Sequence, residues 1–204
     1  MHFVIPKLIE VYNKDHNNIT IQFEEVASTE FDALPKKGIH IYDSWSQLGN
    51  KTFLYSPLVV IGHRKIYNLE QLKNSSISIP DPDYSIVGVN VIKMLRFKKL
   101  WDPLKRSISY KKKGILSMES VDLGEDDYAI LAEADALFVK NAFLVLSLED
   151  ESEFSVQYGI KNYDQKQEAQ TEFYEFLHSE EASKIFEKYG FLSATPANSS
   201  KSEG

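Results

Sequence analysis

Three short stretches of the chain join small or hydroxyl side chains to the start of an apolar-periodic segment: Ala27-Ser28-Thr29, Ser85-Ile86-Val87-Gly88 and Gly114-Ile115. Each reads as the N-terminus of a helix. The first four N–H groups of a helix have no intrahelical partner, and the positive end of the dipole lies there. Such a start can hold an anion without help from Lys or Arg. Taken singly, each stretch is an ordinary capping position. Brought together in one cleft, two or three of them would make a site for a small oxyanion.

Catalytic signatures are scarce by comparison. The chain carries no Gly-x-Gly-x-x-Gly, P-loop, Gly-x-Ser-x-Gly or His-Glu-x-x-His pattern. Its five His residues (2, 16, 40, 63 and 178) lack ligand spacing and read as surface or structural groups. Asp126-Asp127 reads as an acidic turn before it reads as a metal pair, and Glu180-Glu181 suits the positive end of a helix opened by Ser179. The absence of Cys excludes a disulfide scaffold, a thiolate metal site and a cysteine nucleophile. No metal or cofactor is expected, and no enzyme.

The elements that must position the three helix starts follow from periodicity. With 204 residues, 43% of them hydrophobic and 26% charged, the chain has the composition of an ordinary globular protein of one large domain or two small lobes. Its longest apolar runs, Leu58 to Gly62 and Ala142 to Leu146, have the length of strands rather than membrane spans. Val4, Ile5, Leu8, Ile9 and Tyr12 mark a first helix. Strands are predicted at Ile19–Phe23, Ile39–Tyr42, Phe53–Gly62, Ile77–Ile79, Ser107–Tyr110, Tyr128–Leu131, Phe143–Leu146 and Val156–Ile160. Short helices are predicted from Thr29, over Leu69–Leu72, from Ser85 to Leu95 and over Ile115–Val121. Two more close the chain: Glu168–Leu177, and one opening at Ser179 that ends at Gly190 as the C′ residue. Strands alternating with helices imply an α/β fold with mainly parallel sheets. No linker is visible, so a lobe boundary must fall within strands, which suggests a chain that crosses twice between two lobes.

The net charge of −7 argues against nucleic acid as a partner. The charge is uneven. Residues 96–113 hold eight of the 23 basic residues, whereas residues 114–139 have seven acids and no Lys or Arg. The two runs read as solvated faces or as docking patches for a partner.

Read in order, the segments resemble the molybdate-binding proteins of ABC transporters, which are type II periplasmic binding proteins. Residues 173–191, from Phe173 through Ser179-Glu180-Glu181-Ala182 to Tyr189-Gly190-Phe191, are similar to that family's C-terminal "F…FL.S.EA..IF..YGF" pattern. Val26-Ala27-Ser28-Thr29 resembles its "A-S-S-T" segment. Asp81-Pro82, Val87-Gly88 and Leu100-Trp101 resemble "DP…P-A-G…L…G-L-W", and Ala129 to Ala136 resembles "G-I-V-Y-x-x-D-A". Val156-Gln157-Tyr158 resembles the strand that returns to the first lobe.

The resemblance implies two α/β lobes, 1–57 with 157–204 and 58–156, joined by hinges near Ser56–Val60 and Val156–Ile160. It implies a cleft for molybdate or tungstate, bound as an oxyanion and not as a coordinated metal. Ser28 would supply a hydroxyl and an N–H, and Val87 and Gly114 would supply backbone N–H groups. Ala132 falls where the family has its ligand-binding Tyr, so one donor is lost and the pocket should be larger. The family's first strand and its Ser-containing loop are missing here, since the chain begins inside the first helix. A start at Met1 without a signal peptide would reflect the same shortening. The implied partner is an ABC permease in the membrane, with the two charged runs as docking surfaces. The implied location is the periplasm and the implied state a monomer, with self-association if the first strand is absent. The alternative is a degenerate or sensing member of the fold that takes another small anion or an organic ligand.

Overall fold

The computed structural model describes residues 1–16, 19–24, 33–43 and 52–194. Residues 29–32, where the helix expected from Thr29 begins, lie outside them, as does Ser28.

The chain opens with α1 (Val4–Tyr12), whose Val4, Ile5, Leu8 and Tyr12 are buried along one face. Next come β1 (Ile39–Asp43), β2 (Thr52–Ser56), β3 (Leu58–Gly62), a 3-10 turn at Leu69–Leu72 and β4 (Ile77–Pro80). They are followed by α2 (Ile86–Phe97), α3 (Trp101–Leu104), β5 (Ile108–Lys111), α4 (Gly114–Asp122) and β6 (Tyr128–Ala132). The last elements are α5 (Glu133–Ala136), β7 (Phe143–Ser147), β8 (Val156–Asn162), α6 (Glu168–Leu177), α7 (Glu180–Lys188) and β9 (Leu192–Ser193). No helix among the described residues is long and apolar enough to cross a membrane.

The strands form two sheets, in the orders β1-β8-β2-β9 and β5-β4-β6-β3-β7. The single strand expected over Phe53–Gly62 is two strands, one in each sheet. Pro57 stands between them, and its missing N–H ends the β2 ladder. The sheets are not mainly parallel. Among the described residues every pairing of the first is antiparallel, and in the second only β4–β5 and β4–β6 are parallel. The reason is the entry of β3: it arrives directly from the first sheet with no crossover helix, so nothing obliges it to run with β6. The strand expected at Ile19–Phe23 is absent. Ile19 and Ile21 pack at the margin of a core cluster with no ladder assigned to them.

Period-two alternation sorts the second sheet's side chains between two helices. Leu58, Val60, Ile130 and Ala132 join Val87, Val91, Met94 and Leu95 of α2 in one core cluster. Val59, Ile61, Ala129 and Leu131 join Met118 and Val121 of α4 in another. The sheet is thus covered on both faces. A third cluster unites α1, α6 and α7 with Leu54 of β2. The close of the chain follows the sequence reading. The Ser179 hydroxyl caps α7 by accepting from Ala182 N–H (3.1 Å), and Gly190 takes φ +75° at C′, a left-handed conformation that favours Gly.

Candidate functional site

Strands β4, β5 and β6 run parallel and end on one edge of the second sheet, at Pro80, Lys111 and Ala132. The step from β4 to β5 moves one way across the sheet and the step from β5 to β6 moves the other way. Their helices, α2 and α4, cover opposite faces. In open α/β sheets a crevice forms outside the carboxyl ends of the strands at such a reversal. Both passages between the sheets lie on this edge too: Leu58 pairs with Ala132, and Leu148 N–H donates to Leu58 C=O (3.1 Å) shortly before the chain returns through Ser155.

The start of α2 stands at the end of β4. Ser85 has an extended backbone, but its hydroxyl makes no capping bond, so the pattern's simplest role for it is not realised. The helical ladder begins with Val89 N–H to Ser85 C=O (3.2 Å), which leaves Ile86, Val87 and Gly88 ahead of it. Gly88 presses on the strand end: a Cβ there would lie 2.0 Å from Pro80 C=O. The helix start is therefore seated on the strand by a residue with no side chain.

Gly114 opens α4. The first bonds of this helix run from Leu116 and Ser117 N–H to Lys113 C=O, so Gly114 and Ile115 precede the ladder. The Asp135 carboxylate rests against Gly114, where a Cβ would come 1.9 Å from Oδ2. A carboxylate is stabilised at a helix N-terminus, so this start already faces a negative group. Asp135 also lines, with Met1, His2, Phe3 and Val4 at the start of α1, a cavity of about 50 Å³ closed by Phe138, Tyr189 and Phe191. The Phe3 and Phe138 rings lie 3.7 Å apart across it. The structure thus brings the starts of α1 and α4 to one carboxylate. The sequence shows α1 as a helix and Asp135 within the "x-x-D-A" segment, but nothing in their spacing ties either to Gly114.

Ala132 ends β6 at 1% exposure, and its methyl belongs to the α2-side core. Among the described residues its small side chain therefore packs in the core. Val87, at 7% exposure, lies in the same cluster, so only its backbone can face a ligand.

Glu133 follows Ala132. Burial first, and the neighbouring Glu149 second, push its carboxyl above the ordinary range. A raised pKa in the folded chain means that holding the charge at neutral pH opposes folding, and that the opposition fades as pH falls into the carboxylate range. Glu133→Gln should accordingly raise the melting temperature slightly at pH 7 and make no difference near pH 4. Melting curves of both proteins across that interval check it.

Asp126 and Asp127 serve structure. The Ser109 hydroxyl donates to Asp126 (3.0 Å), and Ser76 N–H donates to Asp127 Oδ2 (2.9 Å), which ties the turn before β6 to its neighbours. No metal-binding cluster of His, Cys, Asp or Glu occurs among the described residues. The basic run is partly neutralised: Lys98 pairs with Glu151, Lys105 with Asp102 (2.7 Å), and Lys111 with Glu125 and Asp126 (3.6 Å each).

Residues 43–192 match the family described as bacterial extracellular solute-binding proteins. The chain is 30% identical over 206 positions to YvgL of Bacillus subtilis, described as an ABC transporter substrate-binding lipoprotein; the match covers 88% of this chain and 78% of that one. It is 22% identical over 167 positions to the molybdate-binding protein of Escherichia coli, covering 78% of this chain and 64% of that one. A solved structure described as the substrate-binding domain of a molybdenum ABC transporter from Clostridium difficile superposes with a TM-score of 0.76 at 19% identity, covering 93% of each chain. The likeness in structure shows the fold, two α/β lobes.

Proposed function

The chain belongs to the bacterial extracellular solute-binding proteins, and from that premise we propose that its solute is a tetrahedral oxyanion, molybdate or tungstate, held in the crevice between the two lobes. At the coarser level the chain is the substrate-binding component of an ABC transporter, whose partner is a membrane permease, and its homologues are solute-binding proteins rather than enzymes. The observation that carries the finer reading is the set of helix starts at the carboxyl edge of the second sheet. Val87 and Gly114 lie ahead of their helical ladders there, where N–H groups and dipole ends favour an anion.

In this reading Val87 and Gly114 donate backbone N–H bonds, Ser28 adds a hydroxyl from the first lobe, and the Ala132 turn lines the wall. The lobes are 1–57 with 157–204 and 58–156. They close on the anion and the closed form meets the permease on the outer, periplasmic side of the membrane, with the exposed cations of residues 96–113 and the acids of 114–139 as docking surfaces. No cofactor takes part. Closure replaces the anion's hydration shell with fixed dipoles, which a site rich in N–H groups does without a counter-ion.

Asp135 and the charge on Glu133 both oppose an anion, and Ala132 offers no hydroxyl. These favour, as a second reading, a member of the fold that binds another small anion or a small organic acid. A thermal-shift titration with molybdate, tungstate, sulfate, phosphate and small organic acids separates the two. A ligand at about 100 times its Kd adds roughly 2.7 kcal/mol to stability. The expected result is stabilisation by molybdate and tungstate and none by sulfate. Stabilisation by an organic acid alone would favour the second reading.

A further inference from the structure

The first passage between the sheets carries a buried hydroxyl. Ser56, the last residue of β2, has no exposed surface. Its Oγ donates to Gly190 C=O (2.8 Å) and accepts from Ala134 N–H (3.1 Å). Three segments therefore meet on one atom: the passage itself, the C′ residue of α7, and the first turn of α5. Beside it, Glu133 N–H donates to Pro57 C=O (2.9 Å). Gly190 fits the junction because it has no Cβ, which would stand 2.7 Å from Ala134 N and 2.9 Å from Glu133 C.

Helix α5 belongs to both halves of the molecule. It leaves β6 of the second sheet, yet Ala134 is buried in the core of α1, α6 and α7, while Ala136 is buried in the core on the α4 side. When the sheets turn relative to each other, α5 must keep one set of neighbours and slide on the other. Among the described residues the second passage has no comparable tie between the sheets: Asn90 of α2 donates to Ser155 C=O (3.3 Å), and the buried Ser155 hydroxyl has no partner there.

We propose that Ser56 is the positioning residue of the interlobe motion: its hydroxyl latches α5 to the end of α7, and so sets how far the two sheets stand apart before any ligand arrives. The inference rests on the reading that the lobes close on a ligand, and it adds the atom that biases closure. Loss of the latch lowers the fraction of molecules in the closed arrangement, and apparent affinity falls by the same factor.

The test uses the chain's lack of Cys. Thiols introduced by Glu10→Cys in α1 and Leu123→Cys after α4, both exposed positions, carry spin labels whose separation is measured without ligand and with molybdate. Ser56→Ala removes the latch. Gly190→Ala keeps the hydroxyl but forces α7 and α5 apart, so it serves if Ser56→Ala folds poorly. Leu104→Ala, a buried change in α3 that touches none of the junction's hydrogen bonds, is the control for general destabilisation. The expected result is a longer and broader ligand-free distance distribution in both junction variants and an unchanged one in Leu104→Ala. Junction variants that superpose on the parent, or a control that broadens equally, would overturn the proposal. A parent distribution indifferent to molybdate, with the junction variants still broadened, would uphold the latch and sink the oxyanion reading.

Discussion

Gly88→Ala should abolish anion binding and cost the protein roughly 1–3 kcal/mol or more, on the scale of overpacked interiors. Helix propensity alone argues the other way, since Ala is about 1 kcal/mol better than Gly within a helix. The clash decides the sign. The added methyl would stand 2.0 Å from Pro80 C=O and 2.9 Å from both Pro80 C and Pro82 N, all of them backbone atoms. No side-chain rotation relieves that contact, so α2 must lift off the end of β4. Val87 moves with it, and the donor proposed for the anion leaves its place. Calorimetric titration with molybdate, beside a thermal melt, checks both halves of the expectation. A variant that melts like the parent and binds like it would show that the seat of α2 on Pro80 is unimportant.

The second large effect lies in the other half of the molecule. Phe186, 1% exposed in the last turn of α7, packs edge-to-face against Phe53 and Phe191 at centroid distances of 5.6 and 6.2 Å. Phe186→Ala removes the middle of that cluster and leaves a void between α7 and the first sheet. Truncations of this kind cost about 3–5 kcal/mol. In a chain of this length each kcal/mol moves Tm by about 2–4 °C, so the melting temperature should fall by roughly 10 °C. The same helix ends at Gly190, on the junction with α5, and its loosening should weaken anion binding as well. A fall of only a degree or two in a melting scan would mean that the cluster can collapse onto the gap.

What the sequence made legible is local. Helix α7 was readable at both ends because a Ser179 cap, an apolar stripe through Ala182, Ile185 and Phe186, and a terminal Gly190 are short-range signals that tertiary packing had no cause to overrule. The starts of α2 and α4 were readable for the same reason. Partnership was not. Whether Leu58–Gly62 runs with β6 or against it depends on where the chain enters the sheet, and no spacing within the strand records that. Pro57 was visible as a residue, but its role as the switch between sheets needed the pairing on both sides. In the candidate site, the helix starts at Ser85–Gly88 and Gly114–Ile115 could be named from small side chains and spacing, whereas Val87 and Gly114 as proposed donors came only from the family resemblance. The charge they face could not be named, because Asp135 reaches Gly114 from 21 positions further along. The burial of Ala132 was likewise hidden, since an Ala is equally at home in a wall or in a core.

If backbone N–H groups at helix starts hold an oxyanion, Val87→Pro removes one of them. Proline is tolerated in the first turn of a helix, where its missing N–H has no intrahelical partner to lose. Val87 lies in that turn, two residues before the first bond of the α2 ladder. The substitution therefore deletes the proposed donor and leaves the ladder alone. A lost hydrogen bond to a charged group is worth about 1.5–3 kcal/mol, or roughly one to two decades of affinity. Titration calorimetry with molybdate on the parent and on Val87→Pro, with circular dichroism to confirm an unchanged fold, is the measurement. The variant should bind roughly 10- to 150-fold more weakly at an unaltered helical content. Equal affinity in the two proteins, or no binding of molybdate and tungstate by the parent, would contradict it.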